Sequence, residues 1–113
     1  MNLFLGTFDR VLQAMADTVG VQEVVNERGL LANLRLEHGL RDAGVGWYDL
    51  RDRVAFTEWC GVERAVDLCV VAGFSHILPE SFIARCRAVI NFHPGLVQAC
   101  RGPQPVGNAI VQG

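Results

Sequence analysis

The chain has 113 residues, a formal net charge of −2 and a hydrophobic share of 50%, which predicts one domain with a real core. Its ten basic residues are all arginine and form no cluster, so neither a nucleic-acid footprint nor a membrane-surface patch is predicted. No apolar run approaches the roughly 20 residues of a membrane span, and the short apolar start lacks a signal peptide's basic region. Cys60, Cys69, Cys86 and Cys100 have no CxxC spacing, which argues against zinc ribbons and thioredoxin-type motifs. A cytoplasmic protein with reduced thiols is expected.

Residues 2–6 read as a first strand closed by Gly6, with Thr7 as helix N-cap. Phe8, Val11, Leu12, Met15 and Val19 then recur at helical spacing, and Gly20 suits the helix end. Residues 21–25 read as a second strand, 29–41 as a helix carrying Leu30, Leu31, Leu34 and Leu40, and 45–50 as a weaker third strand. Residues 53–65 read as a helix with Phe56, Trp59 and Val62 turned inward. Residues 67–74 give the strongest strand, since the continuous run Leu68-Cys69-Val70-Val71-Ala72 suits a central parallel strand covered on both faces. A loop follows over 75–78. Pro79 then opens a short helix over 79–86, with Glu80 at its positive end. Residues 88–92 form the last strand, 94–105 a loop, and 106–111 the start of another helix.

Strands alternating with helices predict an α/β fold: a Rossmann-like parallel sheet with flanking helices. The turn after the first strand, Gly6-Thr7-Phe8-Asp9, holds one glycine and is no dinucleotide fingerprint. The richest stretch is Ala88-Val89-Ile90-Asn91-Phe92-His93-Pro94-Gly95-Leu96, followed by Arg101-Gly102-Pro103. Asn91 and His93 leave the same face of a strand where Pro94 and Gly95 stop it. Open α/β sheets place their chemistry where a buried strand opens into a loop. The blander reading is a strand end whose polar groups cap neighbouring backbone. His76 and His38 read as surface histidines, and Trp47, Tyr48 and Trp59 as core or interface aromatics. No metal is expected, because Asn91 and His93 form no ligand set with a nearby carboxylate or cysteine.

The Asn91-Phe92-His93-Pro94-Gly95-Leu96 and Arg101-Gly102 pattern resembles the formyltransferases that use 10-formyltetrahydrofolate. The preceding Asp67-Leu68-Cys69-Val70-Val71-Ala72-Gly73-Phe74, with Ile77-Leu78-Pro79, is similar to that family's strand and loop before the motif. Val97-Gln98 stands where the family commonly has Leu-Pro.

The resemblance implies transfer of a formyl group to a primary amine. Asn91 and His93 would be the catalytic pair, and Phe74, His76, Ile77 and Leu78 would line the folate pocket. Arg101 and Gly102 would bind substrate; equally, Arg101 could hold its loop through carbonyls. The Phe-His-Pro-Gly form of the motif and the Arg-Gly-Pro-Gln-Pro ending favour a nucleotide-linked amino sugar as acceptor over glycinamide ribonucleotide or methionyl-tRNA. The family's third catalytic residue, an Asp downstream of the His, would fall beyond Gly113. Residues 1–113 are therefore expected to be one formyltransferase-type domain, truncated at its C-terminal side. The alternative is an inactive remnant that binds folate or self-associates. A parallel sheet ending at its fifth strand would expose an unpaired edge, which predicts a homo-oligomer.

Overall fold

In the computed structural model, residues 1–27, 33–92 and 109–111 are described. Among the described residues ten elements follow one another: β1 (Asn2–Gly6), α1 (Asp9–Thr18), β2 (Glu23–Asn26), α2 (Leu34–Asp42), β3 (Gly46–Asp49), α3 (Arg53–Gly61), β4 (Val66–Ala72), α4 (Glu80–Ala84), β5 (Cys86–Phe92) and β6 (Ala109–Val111). The sheet order is β3-β2-β1-β4-β5-β6. The first five strands are mutually parallel. A parallel pair needs a crossover connection, and helices α1 to α4 supply one between each successive pair of these strands. The fold is the α/β, Rossmann-like sheet that the alternation predicts.

The two faces of the sheet follow from side-chain alternation along the strands. Leu3 and Leu5 of β1 and Cys69 and Val71 of β4 pack with Phe56, Trp59 and Cys60 of α3 and Phe82 of α4. Phe4, Val70 and Ala72 point the other way, onto Leu12 and Met15 of α1 and Leu36 of α2. The central strands are buried on both faces, which is why they read as unbroken apolar runs.

Order reverses between β1 and β4, the strands on either side of the switch point. Here the two backbones approach so closely that a side chain cannot fit. A Cβ on Gly6, whose φ is +150°, would lie 1.8 Å from the Ala72 carbonyl oxygen. That oxygen accepts hydrogen bonds from Thr7 N–H at 2.9 Å and Phe8 N–H at 3.3 Å.

Several boundaries differ from the sequence reading. Phe8, not Thr7, is the N-cap of α1, because the Thr7 hydroxyl donates instead to the Gly73 carbonyl at 2.9 Å. Gly20 does close that helix, at φ +83°, with its N–H on Met15 O. Helix α3 stops at Gly61, and Val62 is exposed rather than inward. Pro79 is the N-cap of α4 rather than its first residue.

Residues 109–111 are a strand, not part of a helix, and pair antiparallel with 88–90 of β5. The edge of β5 is therefore covered along those residues, and the expectation of a bare fifth strand is corrected. Among the described residues no helix is long and apolar enough to cross a membrane.

Candidate functional site

Strand β4 ends at Ala72, and Gly73 turns the chain at φ +73°. A Cβ there would lie 2.7 Å from both the Phe8 ring and Thr7 Oγ1, so glycine lets the following loop lie against the end of β1. The loop and the carboxyl end of β5 enclose a cavity of about 370 Å³. It is lined by Phe74, Ser75, His76, Ile77 and Leu78, by Ile83 of α4, and by Val71, Val89 and Asn91 of the sheet. Its position is the one open α/β sheets favour, outside the strand carboxyl ends beside the switch point.

Asn91 shares the face of Val89 by strand alternation, while Ile90 and Phe92 point to the opposite face. Its Oδ1 is buried with no hydrogen-bond partner among the described residues. A buried amide oxygen left unpaired is disfavoured by about 1–3 kcal/mol. The atom is suited to a group that enters the cavity. Asn91 Oδ1 therefore caps no neighbouring backbone N–H among the described residues.

The sequence reading of His76 as a surface residue is corrected. Its side chain is 11% exposed, and its ring stacks on Phe56 at 4.9 Å and 11°. Phe74 meets it edge-on at 5.3 Å. His76 Nε2 lies 3.0 Å from the Leu50 carbonyl oxygen and 3.6 Å from Glu27 Oε2.

Sequence reasoning misses Glu27. It follows β2 directly, is only 4% exposed, and accepts two hydrogen bonds from Ser75. The Ser75 N–H reaches Oε1 and the hydroxyl reaches Oε2, each at 2.6 Å. One signal for it exists: an acid close behind the Val24-Val25 pair, a polar residue at a strand end like Asn91.

The structure thus brings together five of the predicted site residues: Phe74, His76, Ile77, Leu78 and Asn91. His93, Arg101 and Gly102 lie outside the described residues, as do Pro94, Gly95 and Leu96. His38 is exposed, as expected, and Trp59 is buried in the core.

Residues 59–113 match the family model described as formyl transferase. The matched stretch begins near the end of α3 and holds every cavity residue named above. The likeness to formyl transferases rests on that stretch. No curated protein and no solved structure matches the chain.

Proposed function

We propose that the protein is an N-formyltransferase that moves a formyl group from 10-formyltetrahydrofolate to a primary amine, with a nucleotide-linked amino sugar as the acceptor class. One observation carries the reading: within the stretch that matches the formyl transferase family, Asn91 and the 74–78 loop meet at a single cavity. The residues there fit a folate headgroup. The walls are apolar and aromatic, and the buried Asn91 amide oxygen offers an acceptor to an N–H group of a reactant.

The donor, when bound, supplies an activated formyl carbon. Asn91 aims its amide N–H at the formyl oxygen, where negative charge develops as the amine adds. A preorganised donor of this kind stabilises the tetrahedral stage more than the ground state. His93 takes the proton that the amine loses as its new bond to carbon forms, and the carbon–N10 bond then breaks, releasing tetrahydrofolate with a proton on N10. The 74–78 loop holds the ring of the donor, and Arg101 with Gly102 meets the anionic part of the acceptor. The sugar class rests on the form of the motif, Asn91-Phe92-His93-Pro94-Gly95, and on the Arg101-Gly102-Pro103-Gln104-Pro105 ending.

Calorimetry with 5-formyltetrahydrofolate, which cannot transfer its formyl group, tests the donor independently of the acceptor. Binding that weakens in Asn91→Ala is expected. Absence of binding to a sample folded by circular dichroism would overturn the reading and favour a non-catalytic role. With donor binding in hand, formylation of an amino-sugar nucleotide, compared with glycinamide ribonucleotide and methionyl-tRNA, decides the acceptor.

A further inference from the structure

We propose that Glu27 and Ser75 form a latch that holds His76 as its Nε2–H tautomer, so that Nδ1 is offered to the cavity as an acceptor for an N–H group of the ligand. The ligand half of this inference rests on the folate reading above; the latch does not.

The tautomer follows from what surrounds Nε2. A backbone carbonyl can only accept a hydrogen bond, so at 3.0 Å from Leu50 O Nε2 is the donor. The Glu27 carboxylate oxygen lies on the same nitrogen at 3.6 Å. That is too long for a hydrogen bond, but its negative charge favours a proton on that side. An Nε2 lone pair would instead face two acceptor oxygens. The neutral ring can carry one proton only, so Nδ1 is left as the acceptor.

Among the described residues Nδ1 has no hydrogen-bond partner, and His76 lines the cavity. Phe56 and Phe74 fix the plane in which it points. A reduced pterin carries ring N–H and amino donors along its polar edge, and these are the groups such an acceptor selects.

Glu27 is a positioning residue in this arrangement. A carboxylate this buried is disfavoured unless it is well hydrogen-bonded. Both of its oxygens are held by Ser75 at 2.6 Å, in the range of charge-assisted bonds. Ser75 is the neighbour of His76, so the bonds that satisfy Glu27 also fix the backbone carrying the imidazole. The contact spans 48 residues of sequence and ties the end of β2 to the loop after β4.

Long-range ¹H–¹⁵N correlation on the histidine-labelled chain tests the latch without any ligand, with His76 assigned by the loss of its signals in His76→Asn. The Nε2–H form is expected to exceed the Nδ1–H form by at least about tenfold, a gap of roughly 1.4 kcal/mol. Glu27→Gln and Ser75→Ala should each lower that ratio severalfold and weaken 5-formyltetrahydrofolate binding about tenfold.

An Nδ1–H or doubly protonated ring in the unmodified protein overturns the proposal, and so does a ratio unmoved in both folded variants. If neither variant folds, the ratio in the unmodified protein alone decides. A ratio that behaves as expected in a protein that binds no folate upholds the latch and refutes the folate reading. Folate binding with an unmoved ratio does the reverse.

Discussion

Gly6→Ala should be among the most damaging single-methyl changes available to this chain. The added Cβ would meet the Ala72 carbonyl oxygen at 1.8 Å and its carbon at 2.6 Å. Both are backbone atoms, so no rotamer change relieves the clash. β1 and β4 must part at their carboxyl ends, which loosens the Thr7 and Phe8 N–H bonds to Ala72 O, each worth about 0.5–1.5 kcal/mol. The φ of +150° is itself disfavoured for an L-residue by about 1–3 kcal/mol.

These effects together place the loss near 3–5 kcal/mol, a large part of the 5–15 kcal/mol typical of a folded domain. Urea unfolding followed by circular dichroism measures it. Gly39→Ala is the paired control. Gly39 lies inside α2, and a Cβ there would have nothing within 4 Å, so alanine should stabilise by about 0.5–1 kcal/mol. A Gly6→Ala loss below about 1 kcal/mol with an unchanged denaturant slope would refute the close approach of β1 to β4.

Asn91→Ala should lower kcat for formyl transfer by about 10²–10³, the usual effect of losing one oxyanion donor; an unchanged kcat would remove Asn91 from the chemistry. Phe56→Ala should destabilise by about 3–5 kcal/mol, because that ring packs on Trp59, Phe74 and His76, and urea midpoints check it. Burial pushes the Cys60 thiol up to about 11, against an opposing effect of Arg64 and Arg85. The folded chain therefore keeps a proton that the unfolded chain loses near pH 9.0, so stability present below that pH should fall as pH rises toward about 11. Cys69 is pushed upward by its neighbour Cys86 and by burial, in the same direction as Cys60, while Cys86 is moved downward by Cys69. Urea midpoints that stay flat across this range would contradict the burial of Cys60.

The sheet is legible in the sequence because its strands are short apolar runs and its helices carry apolar residues at helical spacing. Leu3 to Leu5 and Cys69 to Ala72 are buried on both faces, and their composition says so without reference to the rest of the chain. What stays hidden depends on partners distant in sequence. Residues 109–111 form a strand because β5 offers a ladder to pair with, and a run that short has no period to separate strand from helix. Val62 reads as inward only if the helical spacing is carried past Gly61, where the helix has already ended. His76 reads as a surface residue because its burial comes from Phe56, Phe74 and the end of β3, none adjacent to it in a helical or strand pattern.

The cavity follows from two glycines and one carboxylate more than from its lining. Gly6 lets β1 close against β4, and Gly73 lets the next loop settle over that junction. Neither fixes where the loop's own side chains point. Glu27 does, through Ser75, from the far side of the switch point. Asn91 needs no such help, since strand pairing of Val71 with Asn91 sets its place in the sheet. One wall of the cavity is therefore built by the sheet and the other by a hydrogen-bonded loop. Changes to Glu27 or Ser75 should alter the loop wall, where His76 sits, while leaving the β5 wall that carries Asn91 in register. That division is why a change at Glu27 or Ser75 should lower ligand affinity without moving Asn91.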